Sequence, residues 1–327
     1  MIVSIRARWG SRLMVGTGCF IGPNTILTAG HVVFPREIGA QPDQIEIIPG
    51  LNAEERPYES VFSTQVSIHD EWRKNFGIQT DVAAIHLPQP ALTPRRLADL
   101  LAGLSPDAIL DRDKVQLAQH LRGKGLQLVF MGDLNDGLAR ESEAPQLHAA
   151  GRSITEPAVQ QLYRDYLLAV DRKLQPQFIG LVAESNLIRA AAPSLYPAVV
   201  RTANDTAAAL RAAGSTATLI TSVQVEVAWG RLGGNGSFAG VATDLADFPF
   251  VQALGLSSYP YFGWTQPEDL PLDYYSRLVT GRSLPLMVTE GGWASASAGG
   301  IVSSPELQAR YVARHAELLD AAQARAW

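Results

Sequence analysis

Up to about Pro90 the apolar positions fall in short runs rich in β-branched and aromatic residues. These cover residues 14–21, 26–29, 45–48, 61–68 and 82–87, with turn residues such as Gly22-Pro23-Asn24 and Pro49-Gly50 between them. Runs of this length at intervals of roughly ten residues predict an antiparallel barrel or sandwich. Pro88-Gln89-Pro90 and Thr93-Pro94 then interrupt the pattern, and from Leu97 onward helical periodicity alternates with single apolar runs. Helices are expected over 113–122, 156–174, 193–213, 243–248, 273–279 and 305–324, and strands over 126–131, 178–183, 218–223, 253–258 and 285–289. Five strands, each followed by a helix, imply parallel βα units. Their runs are apolar throughout, as strands covered on both faces should be.

Composition narrows this picture without redirecting it. A chain of 327 residues with 46% hydrophobic content can bury one large core or two medium ones, since single domains commonly run to roughly 100–200 residues. The charge is mild, 27 basic against 32 acidic residues, so neither nucleic acid nor an anionic membrane surface is an expected partner. The single cysteine, Cys19, excludes an internal disulfide framework. Arg6 and Arg8 interrupt what would be the apolar core of a signal peptide, and no stretch approaches the roughly 18 apolar residues of a membrane span. No export signal is therefore expected, and the compartment is left open.

Two sets of residues carry candidate chemistry. In the first, Gly16-Thr17-Gly18 runs through Cys19–Ile21 and the following turn into Thr28-Ala29-Gly30-His31, with Asp81 opening a later apolar run. A serine nucleophile needs a base to take its proton and an acid to hold that base in the correct tautomer. The block from Gly16 to His31 resembles the trypsin-like fold around its catalytic histidine. Within that fold it looks most like the bacterial glutamyl endopeptidases, which share the look of Ile47-Ile48-Pro49-Gly50 and His69-Asp70-Glu71-Trp72. The resemblance implies that His31 is the base and Asp81 its orienter. It also implies a second barrel carrying the serine, and no Gly-Asp/Asn-Ser-Gly sequence follows. The nearest segment, Gly234-Asn235-Gly236-Ser237, lacks the final glycine and reads better as a glycine-rich loop.

In the second set, Glu184 and Glu290 each end an apolar run. Glycoside hydrolysis uses two carboxyl groups flanking one bond, about 5–5.5 Å apart when configuration is retained. In a (β/α)8 barrel such groups project from the carboxyl ends of strands. The segments 254–261 and 284–293 resemble the sixth and seventh strands of retaining barrel glycosidases of the endo-galactanase type. By that resemblance Glu184 is the acid/base and Glu290 the nucleophile, Tyr259 borders the nucleophile, and Trp293 offers a sugar-stacking face. Ala183 stands where that family has an asparagine. Carried through, the resemblance makes 126–131 the third strand and leaves strands one, two and eight without a counterpart.

Among the remaining residues, Asp133 and Asp136 follow the first βα strand and could bind sugar or simply face solvent. Trp229 and Trp264 follow strand ends and could line the same face or pack under loops. His86, His120, His148 and His315 show no metal spacing, and no paired cysteines or phosphate loop occur. No metal or cofactor is expected.

The resulting expectation is a mixed fold: an antiparallel β-barrel half-domain over 1–92, then an incomplete (β/α) TIM-barrel-like domain over 97–327 holding strands three to seven. The function expected is a retaining glycoside hydrolase acting on a polysaccharide, with a carbohydrate as partner. Two alternatives stand beside it. One is a trypsin-like endopeptidase lacking its serine. The other is an inactive fusion or carbohydrate-binding remnant, prone to associate through open sheet edges.

Overall fold

A computed structural model describes residues 2–22, 25–49, 60–87, 95–133, 135–137, 139–297 and 300–326. The chain divides into two compact units, Met1–Leu97 and Ala98–Trp327. Of the predicted turns, residues 23–24 and 50 lie outside the described residues, as does the proline-rich break at 88–94.

The first unit is a nearly closed antiparallel barrel, with seven strands among the described residues. They are β1 (Ile2–Trp9), β2 (Arg12–Gly22), β3 (Thr25–Thr28), β4 (Gln44–Pro49), β5 (Val61–Ser63), β6 (Gln65–Ile68) and β7 (Ala83–His86). The sheet runs β5-β4-β1-β2-β3-β7-β6. Alternation sets the inner face: Val3, Ile5 and Ala7 are buried on β1, and Ile45 and Ile47 on the neighbouring β4. Two features differ from the sequence expectation. The segment tested as a leader peptide is β1, which pairs with both β2 and β4. Residues 61–68 form two strands, because Thr64 breaks the run and Ser63 turns its hydroxyl onto the His86 carbonyl at 2.5 Å.

The second unit is a parallel half-barrel sheet with helices between its strands. The strands are β8 (Val129–Met131), β9 (Phe178–Gly180), β10 (Thr218–Gln224), β11 (Ala253–Ser258), β12 (Leu286–Gly291) and β13 (Arg325–Ala326). They lie side by side in sequence order, every neighbouring pair is parallel, and β10 and β11 are buried along nearly their whole length. Among the described residues the sheet has six strands where the sequence suggested five. Arg325 pairs with Met287 and Ala326 with Val288, just after the helix Pro305–Ala322.

Long helices occupy the connections: Pro157–Leu174 before β9, Tyr196–Ala212 before β10 and Pro305–Ala322 before β13. Ser304 caps the last of these by accepting from the Leu307 amide at 3.3 Å. The segment 273–279, expected to be a helix, is only a short 3-10 turn over Ser276–Val279. Its neighbours Tyr274 and Tyr275 are instead fully buried in the core beneath β10 and β11. Glycine permits two close approaches in the sheet. A side chain at Gly255 would meet the Ser222 and Thr289 side chains at 3.0 Å, and one at Gly180 would overlap the Met131 sulfur. Among the described residues, no helix is long and apolar enough to cross a membrane.

Candidate active site

The polar residues of the second unit gather where β9 to β12 end. Glu184 lies just beyond β9 as the residue before the helix Ser185–Ala191, in the left-handed region at φ 50°. That conformation costs a non-glycine residue roughly 1–2 kcal/mol, so its neighbours must hold it. The Glu184 amide donates to Ser222 Oγ at 2.9 Å, and Ser257 Oγ donates to Glu184 Oε1 at 2.7 Å. On its other oxygen, Glu184 Oε2 accepts from Arg140 Nε at 2.7 Å. Arg140 also grips both oxygens of Asp133, at 2.8 and 2.6 Å. Glu184 and Arg140 are each 7% exposed. Burial works against the Arg140 charge, but the Asp133 and Glu184 carboxylates outweigh it and push its pKa up.

Glu290 stands at the end of β12 and is exposed. Its Oε1 accepts from the Tyr259 hydroxyl at 2.7 Å. Burial first, and then this bond to Glu290, push the Tyr259 phenol pKa up. β11 and β12 slip register between Leu256 and Ser257, so that Leu256 faces Val288 but Ser257 faces Glu290. Ser257 thus touches Glu184 with its side chain and sits in register with Glu290.

A third carboxylate sits at this end of the sheet. Glu226, in the short helix Val225–Ala228 that follows β10, is fully buried. Its Oε1 accepts from Ser258 Oγ at 3.2 Å and from the Tyr274 hydroxyl, and its Oε2 accepts from Gln224 Nε2 at 2.5 Å and the Tyr259 amide at 3.1 Å. Burial raises its pKa and the surrounding donors partly offset the rise. The sequence reading passed over Glu226. A usable signal was present, because Glu226 follows the apolar run of β10 just as Glu184 follows that of β9. Arg140 gave no comparable signal, since its loop position acquires meaning only from contacts 44 and 7 residues away in sequence.

The aromatic candidates divide by exposure. Tyr259, Tyr261 and Phe262 form a ring cluster with centroids 4.7–6.2 Å apart, and Phe262 is 42% exposed. Trp293 is only 4% exposed, packs edge-on against Tyr261, and donates its indole N–H to Ser303 Oγ at 3.1 Å. Trp264 is half-buried, with its ring edge-on to Trp229 and Tyr274 and the Arg231 guanidinium over it at 5.0 Å. Trp229 is buried and donates to the Tyr274 carbonyl. A cavity of about 540 Å3 lies between β12 and the helix Pro305–Ala322, with Glu290, Trp293, Gln308, Tyr311 and His315 among its walls.

Ser237 is exposed on its glycine-rich loop, its amide bonded to Asn235 Oδ1 at 3.0 Å. Asp136 takes part in the same loop as Arg140, its amide donating to the Ser142 carbonyl. His86 bonds Ser67 through Nε2. No group of three or more His, Cys, Asp or Glu positioned to hold a metal occurs among the described residues.

In the first unit His31 and Asp81 meet. His31 Nδ1 lies 2.7 Å from Asp81 Oδ2, and the His31 amide donates to Asp81 Oδ1 at 2.7 Å. His31 lies in the short helix Gly30–Val33, which begins where β3 ends, and Asp81 closes the 3-10 turn Ile78–Thr80 ahead of β7. Trp72 fixes the start of that helix, because its ring fills the space beside the Gly30 Cα and its Nε1 donates to the Phe34 carbonyl at 3.0 Å. The imidazole side chain is 54% exposed. One carboxylate therefore fixes both the backbone and the ring of the histidine, with Nε2 left as the ring's other nitrogen.

The N-terminal region is homologous to a glutamyl endopeptidase: 74 residues are 38% identical to the enzyme of Bacillus licheniformis. That match covers 23% of this chain and 23% of the relative, so the chain spans about a quarter of the length of that protein. Solved structures similar over most of the chain include an endo-1,4-beta-D-mannanase from Thermotoga petrophila, at 10% identity and TM-score 0.46 over 65% of this chain and 66% of that one. They also include a beta-glucosidase from Exiguobacterium marinum, at 13% identity and TM-score 0.44 over 65% and 68%. No family model matches the chain.

Proposed function

We propose that the second unit is a retaining glycoside hydrolase acting on a β-linked polysaccharide, with Glu290 as nucleophile and Glu184 as acid/base. The observation that carries this reading is the place of Ser257, which donates to Glu184 and lies in register with Glu290. It supports a common site for two carboxylates from the carboxyl ends of β9 and β12, two strands of one parallel sheet with β10 and β11 between them, which is what a two-carboxylate displacement requires.

In the first step Glu290 attacks the anomeric carbon while Glu184 gives its proton to the departing glycosidic oxygen. In the second, Glu184 takes a proton from water, which releases the sugar from Glu290. The Tyr259 hydroxyl holds one Glu290 oxygen and so aims the other. The exposed ring of Phe262, beside Tyr259 and Tyr261, offers an apolar face for a pyranose. Arg140 holds Oε2 of Glu184 and has only donors to offer, so the proton is carried on Oε1, beside the Ser257 hydroxyl.

The test is hydrolysis of β-linked polysaccharides and aryl β-glycosides by the whole chain. Turnover that disappears in Glu290→Ala is expected, and a well-folded protein with no turnover on either substrate class would sink the proposal. Binding without turnover would point to a carbohydrate-binding remnant.

A second reading rests on the His31–Asp81 pair, whose geometry supports the base half of a serine endopeptidase. That reading needs a hydroxyl nucleophile delivered to His31.

A further inference from the structure

Glu226 is buried more completely than either carboxylate in the proposed mechanism, yet that mechanism gives it no task. Its four partners are all donors: the Ser258 and Tyr274 hydroxyls on one oxygen, the Gln224 amide and the Tyr259 main-chain N–H on the other. A carboxylate accepts on every side, whereas a glutamine keeps a single accepting oxygen for these four groups.

The Tyr259 contact stands apart from the other three. β11 ends at Ser258, whose carbonyl still accepts from the Gly292 amide, and Tyr259 is the first residue past the ladder. The Tyr259 amide therefore leaves the strand pairing and is taken up by Glu226. At the other end of the same residue, the phenol reaches Glu290. Tyr259 is thus held at two points, its main chain on Glu226 and its phenol on Glu290.

We propose that Glu226 is a positioning residue that sets Tyr259 against Glu290. It touches no reacting atom and acts by fixing the backbone from which the phenol is aimed. The inference rests on the proposed role of Glu290, but its test does not require turnover.

The experiment labels the protein with 13Cζ-tyrosine and follows the phenol resonances by NMR. Nine tyrosines give nine signals, and Tyr259→Phe identifies the one that matters. Glu290→Gln displaces that signal by weakening the hydroxyl's acceptor. Glu226→Gln, of nearly equal volume, is expected to displace it in the same sense and to lower kcat at least about tenfold with KM within about twofold.

A Tyr259 signal left in place by Glu226→Gln, with only a lower melting temperature, would show that the carboxylate merely supports the core and would overturn the proposal. A displaced signal in a protein without turnover would uphold the positioning and refute the glycosidase reading instead. Should Glu226→Gln fail to fold, Tyr274→Phe removes one donor from Glu226 and is expected to displace the same signal. No displacement there would likewise count against the proposal.

Discussion

Replacing Arg140 by glutamine would leave the Glu184 carboxylate without its cationic partner. Arg140 gives one bond to Glu184 and two to Asp133. The two losses are unequal. The Asp133 side chain is 34% exposed and can be taken up by water, whereas that of Glu184 is 9% exposed. Removing one member of a buried ion pair costs about 3–5 kcal/mol. Ser257 still donates to Glu184, and Asp133 is screened by solvent, so the lower end, about 3 kcal/mol, is expected. For a unit of the size of Ala98–Trp327, at roughly 2–4 °C per kcal/mol, that lowers the melting temperature by about 6–12 °C.

Differential scanning calorimetry on the full chain measures the change. The double variant Arg140→Gln/Glu184→Gln supplies the control, because it removes the stranded charge. It should recover about half or more of the loss, a coupling of at least about 1.5 kcal/mol. A loss below about 1 kcal/mol, or costs that simply add, would mean that Glu184 is wetted and that Arg140 does not hold it.

Two further predictions concern histidines. Burial depresses the His315 pKa below its ordinary 6.5, so the unfolded chain binds a proton there that the native state resists. Stability from this group is therefore full above about pH 6.5 and is lost as pH falls through the lower folded value. Thermal melts at pH 7 and pH 5 should show a smaller drop in His315→Gln than in wild type, and equal drops would refute the assignment. A fluorophosphonate probe should leave the chain unlabelled, because His31 and Asp81 have no partner serine in a Gly-Asp/Asn-Ser-Gly setting; labelling lost in Ser237→Ala would reverse that conclusion.

The change from barrel strands to βα units was legible in the hydrophobic pattern because each uses a different period, and both units carry it. The apolar runs of β9 to β12 could be read directly, as could the glutamates that end two of them, since a strand buried on both faces announces its boundary by its first polar residue. β1 was also written in period two, with Val3, Ile5 and Ala7 inward. Its position invited comparison with a leader peptide, and the alternation went unused. Glu226 and Arg140 were missed for a different reason. Their significance lies in partners contributed by other elements, Tyr259 and Tyr274 for one, Asp133 and Glu184 for the other, and a linear pattern does not carry such meetings. The two-residue β13 is shorter than any periodicity can detect.

The slip between β11 and β12 makes the site depend on one surplus residue. Thr289 is the residue stepped over, with Val288 matched to Leu256 and Glu290 to Ser257. Two residues of β12 oppose one of β11 there, and such a surplus residue bends its strand and increases the local twist. A chain lacking Thr289 would keep its hydrophobic run and its terminal Glu-Gly-Gly, and would still set that glutamate opposite Ser257, but in a regular ladder without the bend. What the surplus residue supplies is then the angle at which the end of the strand presents its glutamate, which a substitution at Thr289 keeps and its deletion erases.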